Sequence, residues 1–197
     1  RPGQVRALSF ITLAFSAIIG IYFTIVSHWT ILPISILGAI AIVFYTPILS
    51  RFLLGELFAG LALGTLVVVG TYIAMTASPG QDLGSLLPRE ALLASIPPGI
   101  LTALLLLLNE FPDAKADRQG GRKHLVIALG YKTSSILYAV LMVLVFAIIA
   151  FIPLIQAGSH WLFLALIPLP LALKASAMAM KFDPDNPDKL IPALGMN

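Results

Sequence analysis

The sequence predicts an all-α integral membrane protein, with one transmembrane helical domain over residues 1–197 built as a bundle of about six spans. Hydrophobic residues make up 59% of the chain and charged residues only 11%, whereas about a quarter of the residues in a soluble domain are charged. The apolar residues occur in blocks of about 20, the length that a helix needs to cross a hydrocarbon core of about 30 Å. No block alternates like a barrel strand, and an open sheet cannot satisfy its edges in lipid, which leaves helices.

The first three apolar blocks lie between charged or turn-rich borders. They cover about residues 7–27, 29–50 and 52–77. Each is long and apolar enough to cross a membrane as a helix. In the third block, Gly60 and Gly64 form a small-xxx-small pattern, which indicates close helix contact within the bundle.

The last three blocks are bordered in the same way. The fourth covers about residues 91–111 and begins after Glu90, the fifth covers about 133–156 and begins after Lys132, and the sixth covers about 160–181. Prolines interrupt several of the six blocks, which membrane helices tolerate where neighbouring groups satisfy the freed carbonyls. The six blocks together predict the transmembrane bundle.

The cationic residues are distributed very unequally between the two sides of this bundle. Threading six helices places eleven of the twelve Lys and Arg residues on one side and Arg89 alone on the other. Basic residues mark the cytoplasmic side of membrane proteins. We therefore expect both chain ends, and an aspartate-rich loop over residues 109–132, to lie in the cytoplasm, with the protein in the cell or inner membrane. The eleven residues are Arg1, Arg6, Arg51, Lys115, Arg118, Arg122, Lys123, Lys132, Lys174, Lys181 and Lys189.

Composition also excludes several classes of function. The chain has no cysteine, so disulfides, thiolate metal sites and cysteine nucleophiles are excluded. The formal net charge of +3 does not indicate a nucleic-acid partner, because the cations lie along membrane edges rather than in a polar domain. We expect membrane lipid, and no nucleic acid, among the partners. His28, His124 and His160 are scattered over both sides and do not form a metal set.

An acidic segment directly after the fourth block carries the most specific chemical signal. Asn109, Asp113 and Asp117 are spaced four residues apart, so on a helix they form one stripe of oxygen ligands, with Glu110 beside it. Carboxylate and amide oxygens suit Mg²⁺, which fills its remaining positions with water and substrate phosphates. We expect Asn109, Asp113 and Asp117 to be metal ligands and catalytic residues.

Basic residues follow this stripe closely. Arg122 and Lys123 are placed to contact phosphate oxygens, the arginine as a fork and the lysine as a point charge. Anionic ligands, a metal ion and cations together describe a site for a diphosphate. The alternative interpretation is an interfacial loop whose charges anchor a helix end among lipid headgroups, and topology alone accounts for Lys115, Arg118 and Lys132.

Three elements of the sequence resemble the UbiA superfamily of intramembrane prenyltransferases. The segment NEFPDAKADRQGGRKHLVIALG resembles that family's second aspartate-rich motif, with an asparagine, a DxxxD and a Gly-basic turn. Tyr45-Thr46-Pro47 with Arg51 is similar to its tyrosine-proline-basic element, and Arg1-Pro2 resembles the pair that follows its first aspartate-rich motif. The wording Asn-Glu-Phe-Pro-Asp is most similar to the quinone-pathway branch that prenylates dihydroxynaphthoate.

The resemblance implies a nine-helix bundle in which two aspartate-rich segments face each other across a cavity. It implies that Mg²⁺ binds a polyprenyl diphosphate, whose prenyl group is transferred to a small aromatic acceptor, as in quinone biosynthesis. On this interpretation the enzyme is a prenyltransferase, Arg51 joins Arg122 and Lys123 in binding the diphosphate, and Tyr45 and Glu110 contact substrate.

The sequence departs from the family pattern because no first aspartate-rich motif occurs before Asp113. We therefore expect a chain truncated at both ends, and whether this fragment alone is active stays open. The alternative is a non-catalytic, UbiA-like membrane subunit or scaffold. A transporter fits less well, because the spans carry hydroxyl groups rather than ionisable groups away from their ends.

Overall fold

The computed structural model describes residues 1–45, 48–155 and 160–197, and the described residues form helices and turns with no β-strand among them. A π-helical turn, Leu61–Thr65, joins the third and fourth helices into one continuous span. The α-helices, in chain order, are α1 Pro2–Val26, α2 Ile31–Phe44, α3 Gly55–Gly60, α4 Leu66–Thr76, α5 Leu83–Leu86, α6 Arg89–Gln119, α7 Leu125–Ile155, α8 Leu169–Met180 and α9 Ile191–Leu194.

The predicted all-α membrane bundle is confirmed, with one span shorter than expected. Within the described residues, five helical stretches are long and apolar enough to cross a membrane: Pro2–Val26, Gly55–Thr76, Arg89–Gln119, Leu125–Leu154 and His160–Met180. The block at 29–50 forms instead the 14-residue helix α2, which ends at Phe44.

The segment 109–132 is mostly helical, and the prediction of a loop there is wrong. Helix α6 continues through Pro112 to Gln119, and α7 begins at Leu125, so only residues 120–124 lie outside helices. The break falls at two consecutive glycines, of which Gly121 has a φ of 77° that side chains disfavour. The acidic side chains are therefore carried on a rigid helix end.

Helix α7 changes direction near its start, at Gly130. This glycine has a φ of 78° and a ψ of 162°, values outside the helical region. Only glycine adopts that conformation without strain. The kink separates a short first turn, which borders the acidic segment, from the apolar length that the sequence predicts to begin at about residue 133.

The span α3–α4 lies against α6 with backbones almost in contact. A Cβ added at Gly60 would lie 2.5 Å from the carbonyl oxygen of Gly99, and one added at Gly64 would lie 2.5 Å from the Gly99 Cα. Thr65 Oγ1 donates to the Ser95 carbonyl at 3.2 Å across the same interface. Small residues permit this approach in membrane bundles, as the small-xxx-small pattern predicts.

The main hydrophobic core joins α6, α7 and α8. On α6 the buried side chains recur at helical spacing and form one face, which includes Leu104, Leu107, Leu108 and Phe111. Near the acidic end, Phe111 packs edge-to-face on Phe182, with ring centroids 5.3 Å apart. Because this face of α6 is committed to the core, the face carrying Asn109 is directed elsewhere.

Candidate active site

A polar cavity of about 190 Å³ lies where α6 emerges from the apolar part of the bundle. Helix α6 provides five of its eleven lining residues, the turn after α2 adds Tyr45, and the start of α3 adds Gly55. The segment between α6 and α7 closes one side of it. The polar and charged lining residues are Tyr45, Ser50, Asn109, Glu110, Asp113, Asp117, Arg122, Lys123 and His124.

The predicted stripe of oxygen ligands on α6 lines this cavity. Asn109 and Asp113 are exposed and Asp117 is half-buried, so all three are accessible to a solute. The amide nitrogen of Asn109 donates to the Leu105 carbonyl at 2.8 Å, which leaves the amide oxygen as the ligand atom. Their common face follows from the four-residue spacing on a continuous helix.

The connection between α6 and α7 is held by several polar contacts. Arg122 donates to both carboxylate oxygens of Asp117 at 3.2 Å, and its backbone N–H donates to the Asp117 carbonyl at 3.0 Å. The backbone N–H of Lys123 donates to the Ser50 carbonyl at 3.0 Å, which ties this connection to the turn before α3. Two cationic side chains are thereby kept beside the carboxylates.

Behind the stripe, Glu56, Glu110 and His124 form a buried cluster. Their candidate ligand atoms all lie within 4.8 Å of one another, and the three residues are 4%, 8% and 5% exposed. Glu56 Oε1 accepts a 2.7 Å hydrogen bond from the Leu125 N–H at the start of α7, where the helix dipole favours a negative charge. Burial lowers the pKa of His124, against an opposing effect of the Asp117 carboxylate, so its imidazole is largely neutral at pH 7.

An apolar groove of about 460 Å³ adjoins the polar cavity. Tyr45, Leu106 and Asn109 line both spaces, so the two are neighbours with a common wall. The groove runs between α2, α3 and α6, and its other lining residues include Ala41, Phe58, Ala59, Leu63, Thr102 and Leu105. A polar pocket therefore opens directly beside a hydrocarbon-lined one.

Comparison with known proteins identifies the family of this chain. The family description "UbiA prenyltransferase family" matches residues 1–194. The chain belongs to this family. The sequence resemblance carried by the acidic segment is thus confirmed, and the bundle described above is an integral membrane member of the UbiA prenyltransferase family.

One curated relative is 1,4-dihydroxy-2-naphthoate octaprenyltransferase from Bacillus subtilis (strain 168). It is 26% identical to this chain over 184 residues, which is 89% of the chain and 55% of the relative. The chain therefore spans about half the length of the curated relative that it matches. No solved structure matches the chain.

For this UbiA family chain, the structure brings most of the predicted site residues together. Asn109, Asp113, Asp117, Glu110, Arg122, Lys123 and Tyr45 all line the polar cavity. Arg51 is exposed, and within the described part of the chain it is not among the residues lining that cavity. Thr46 and Pro47 lie outside the described residues.

Sequence reasoning missed two residues of the site, Glu56 and His124. His124 does not pair with another histidine, as predicted, but it meets two carboxylates. Glu56 had a detectable signal, because it is a carboxylate at the polar end of an apolar span and its burial requires a partner. Its partners come from two distant helices, which spacing along the chain cannot show.

Proposed function

We propose that this protein binds a polyprenyl diphosphate and transfers its prenyl group to a small aromatic acceptor, in a reaction that serves quinone biosynthesis. The observation that carries this proposal is the common wall between the carboxylate-lined cavity and the apolar groove. A molecule with an anionic diphosphate head and a long hydrocarbon tail matches that pair of spaces. The naphthoate acceptor named for the Bacillus subtilis relative supports an aromatic acceptor here.

The donor set of the cavity fits Mg²⁺. Two carboxylates and one amide oxygen lie on one accessible helix face, and Mg²⁺ prefers one or two protein carboxylates with its other positions open to water and phosphate. Asn109, Asp113 and Asp117 would hold the ion. When bound, it would offset the negative charge that develops on the departing diphosphate.

The chain's own residues perform the remaining tasks. Arg122 and Lys123 bind phosphate oxygens, and the exchange of Arg122 from Asp117 to phosphate frees a carboxylate for the metal. The groove between α3 and α6 holds the tail and orients the reacting carbon toward the polar cavity. Its apolar lining also excludes water, which would otherwise capture the reactive prenyl group.

The acceptor would enter from the side on which the polar cavity opens. The excess of Lys and Arg on that side favours a cytoplasmic orientation for the cavity. Tyr45 lines both spaces, so its ring and hydroxyl group are positioned to contact an aromatic acceptor beside the head of the donor. Glu110 lies deeper and contacts His124.

Binding of a polyprenyl diphosphate tests the proposal directly. The purified chain in lipid nanodiscs is titrated with a fluorescent polyprenyl diphosphate, with Mg²⁺ and with EDTA. We expect Mg²⁺-dependent binding, and we expect Asp113→Asn to weaken it at least about ten-fold, because a charged ligand contact contributes about 1.5–3 kcal/mol. Asp82→Asn is the matched control, since Asp82 caps α5, outside this cavity.

Two results would overturn the proposed function. One is the absence of Mg²⁺-dependent binding by the folded wild-type chain. The other is equal binding by Asp113→Asn and the wild type, which would favour the alternative of a non-catalytic membrane subunit.

A further inference from the structure

The buried cluster of Glu56, Glu110 and His124 is not used by the proposed prenyl transfer. Within the described part of the chain, Glu56 Oε2, Glu110 Oε2 and both ring nitrogens of His124 are buried without a hydrogen-bond partner. Such groups are rare in folded proteins, because each loses its hydration without compensation. Two acidic groups and an imidazole therefore converge on one buried point.

The nearby cationic side chain, Arg122, pairs with a carboxylate outside this cluster. Arg122 is engaged with Asp117, through both carboxylate oxygens. His124 Nδ1 lies 3.3 Å from Glu110 Oε2, but the two groups are not aligned for a hydrogen bond. A neutral imidazole in this place offers a lone pair as a metal ligand.

We propose that Glu56, Glu110 and His124 bind one divalent transition-metal ion, Mn²⁺, at a site separate from the aspartate stripe. Two carboxylates and one dipositive ion are neutral together, which suits a buried place. Ligands of one ion lie about 3–4.2 Å apart when each bond is about 2.1 Å. The present spread of up to 4.8 Å closes with small side-chain shifts.

The carboxylate of Asp117 lies near the second ring nitrogen of His124. Its Oδ2 lies 3.6 Å from His124 Nε2, the ring nitrogen on the far side from Glu110. Histidine ligands of metal ions commonly donate their other N–H to a carboxylate, which fixes the ring orientation. A small side-chain shift would let Asp117 accept that N–H, and Asp117 also lines the polar cavity.

The nitrogen ligand decides the choice of metal. Imidazole suits transition metals and carboxylates suit Mn²⁺, whereas Mg²⁺ favours oxygen ligands throughout. The three ligands come from α3, from α6 and from the residue before α7. An ion there would join three helix ends at the floor of the polar cavity.

The experiment measures Mn²⁺ binding by the detergent-solubilised chain, with excess Mg²⁺ and no diphosphate. We expect one Mn²⁺ per chain by metal analysis, retained in Asp113→Asn and lost in Glu56→Gln and His124→Gln. The loss should exceed the roughly 10- to 100-fold change that removal of an outer-shell partner causes. Far-UV circular dichroism and gel filtration check that each variant is folded.

A second measurement leaves the three proposed ligands unchanged. Pulsed EPR of the wild-type chain with one equivalent of Mn²⁺ should show coupling to an imidazole nitrogen. The ring nitrogens of His28 are occupied by Thr30 and the Gln81 carbonyl, and replacement of exposed His160 by Gln excludes the third histidine.

Absence of tight Mn²⁺, absence of nitrogen coupling, or loss of the ion in Asp113→Asn would each overturn this proposal. Because the experiment contains no polyprenyl diphosphate, its failure leaves the proposed prenyl transfer untouched. Conversely, if Asp113→Asn did not alter binding of the polyprenyl diphosphate, that result would not contradict the proposed buried metal site.

Discussion

Replacement of Gly64 by alanine tests how closely α3–α4 and α6 approach. The added Cβ would lie 2.5 Å from the Gly99 Cα, 2.6 Å from the Pro98 carbonyl oxygen and 2.7 Å from the Gly99 nitrogen. All three are backbone atoms, so no side chain can rotate away. Ordinary contact requires about 3.5 Å or more, and the helices must therefore separate by about 1 Å.

We expect Gly64→Ala to lower the free energy of unfolding. Overpacking of a close interface costs about 1–3 kcal/mol, and the better helix propensity of alanine returns up to about 1 kcal/mol. Gly38→Ala on α2 is the matched control, because its Cβ would meet no atom within 4 Å. The propensity gain cancels between the two variants, so their difference should be the full overpacking cost of about 1–3 kcal/mol.

Unfolding in dodecyl maltoside is followed by circular dichroism during titration with SDS. The wild type, Gly64→Ala and Gly38→Ala are compared under identical conditions. Equal stability of the two alanine variants would refute the close backbone contact between Gly64 and Gly99.

Three further predictions concern the site. Ala59→Phe should fill the apolar groove and weaken polyprenyl diphosphate binding about ten-fold or more, while pyrophosphate binding stays unchanged. Both affinities are measured by competition with the fluorescent donor, and equal losses for the two ligands would contradict a separate site for the tail. Arg122→Gln should change stability by no more than about 1 kcal/mol, because this pair is partly exposed, yet should reduce pyrophosphate affinity in the same assay. The chain has no native cysteine, so single cysteines report the orientation of the protein in the membrane. Gln119→Cys should react with an impermeant maleimide only from the cytoplasmic side and Ser78→Cys only from the opposite side, and reversed labelling would refute the expected orientation.

Much of the fold follows from the sequence because lipid imposes simple rules. Length and hydropathy predict the spans, and the glycine pair at 60 and 64 predicts the contact with α6. The sequence predicts a loop over residues 109–132 and, within it, an acidic stripe on a helix. The structure continues α6 to Gln119, because the chain contains no helix breaker between Pro112 and Gly120 strong enough to end it.

The candidate site was predictable only where its residues are neighbours in sequence. The spacing of Asn109, Asp113 and Asp117 predicts their shared face on one helix. Glu56 lies 69 residues before Leu125, to which it is hydrogen-bonded, and such a pairing depends on how α3 packs against α6. The apolar groove is likewise formed by three helices together, so it cannot be predicted from the sequence of any one of them.

Asn109, Asp113 and Asp117, the three proposed metal ligands, lie on a single uninterrupted helix, so the length of this segment matters as much as the identity of its residues. One residue inserted between Asn109 and Asp113 would rotate Asp113 and Asp117 by about 100° relative to the amide, since each helical residue turns by that angle. The carboxylates would then point toward the core or the lipid with their chemistry unaltered. A deletion would do the same, so alterations in the length of residues 109–117 should abolish donor binding as completely as loss of the acids themselves.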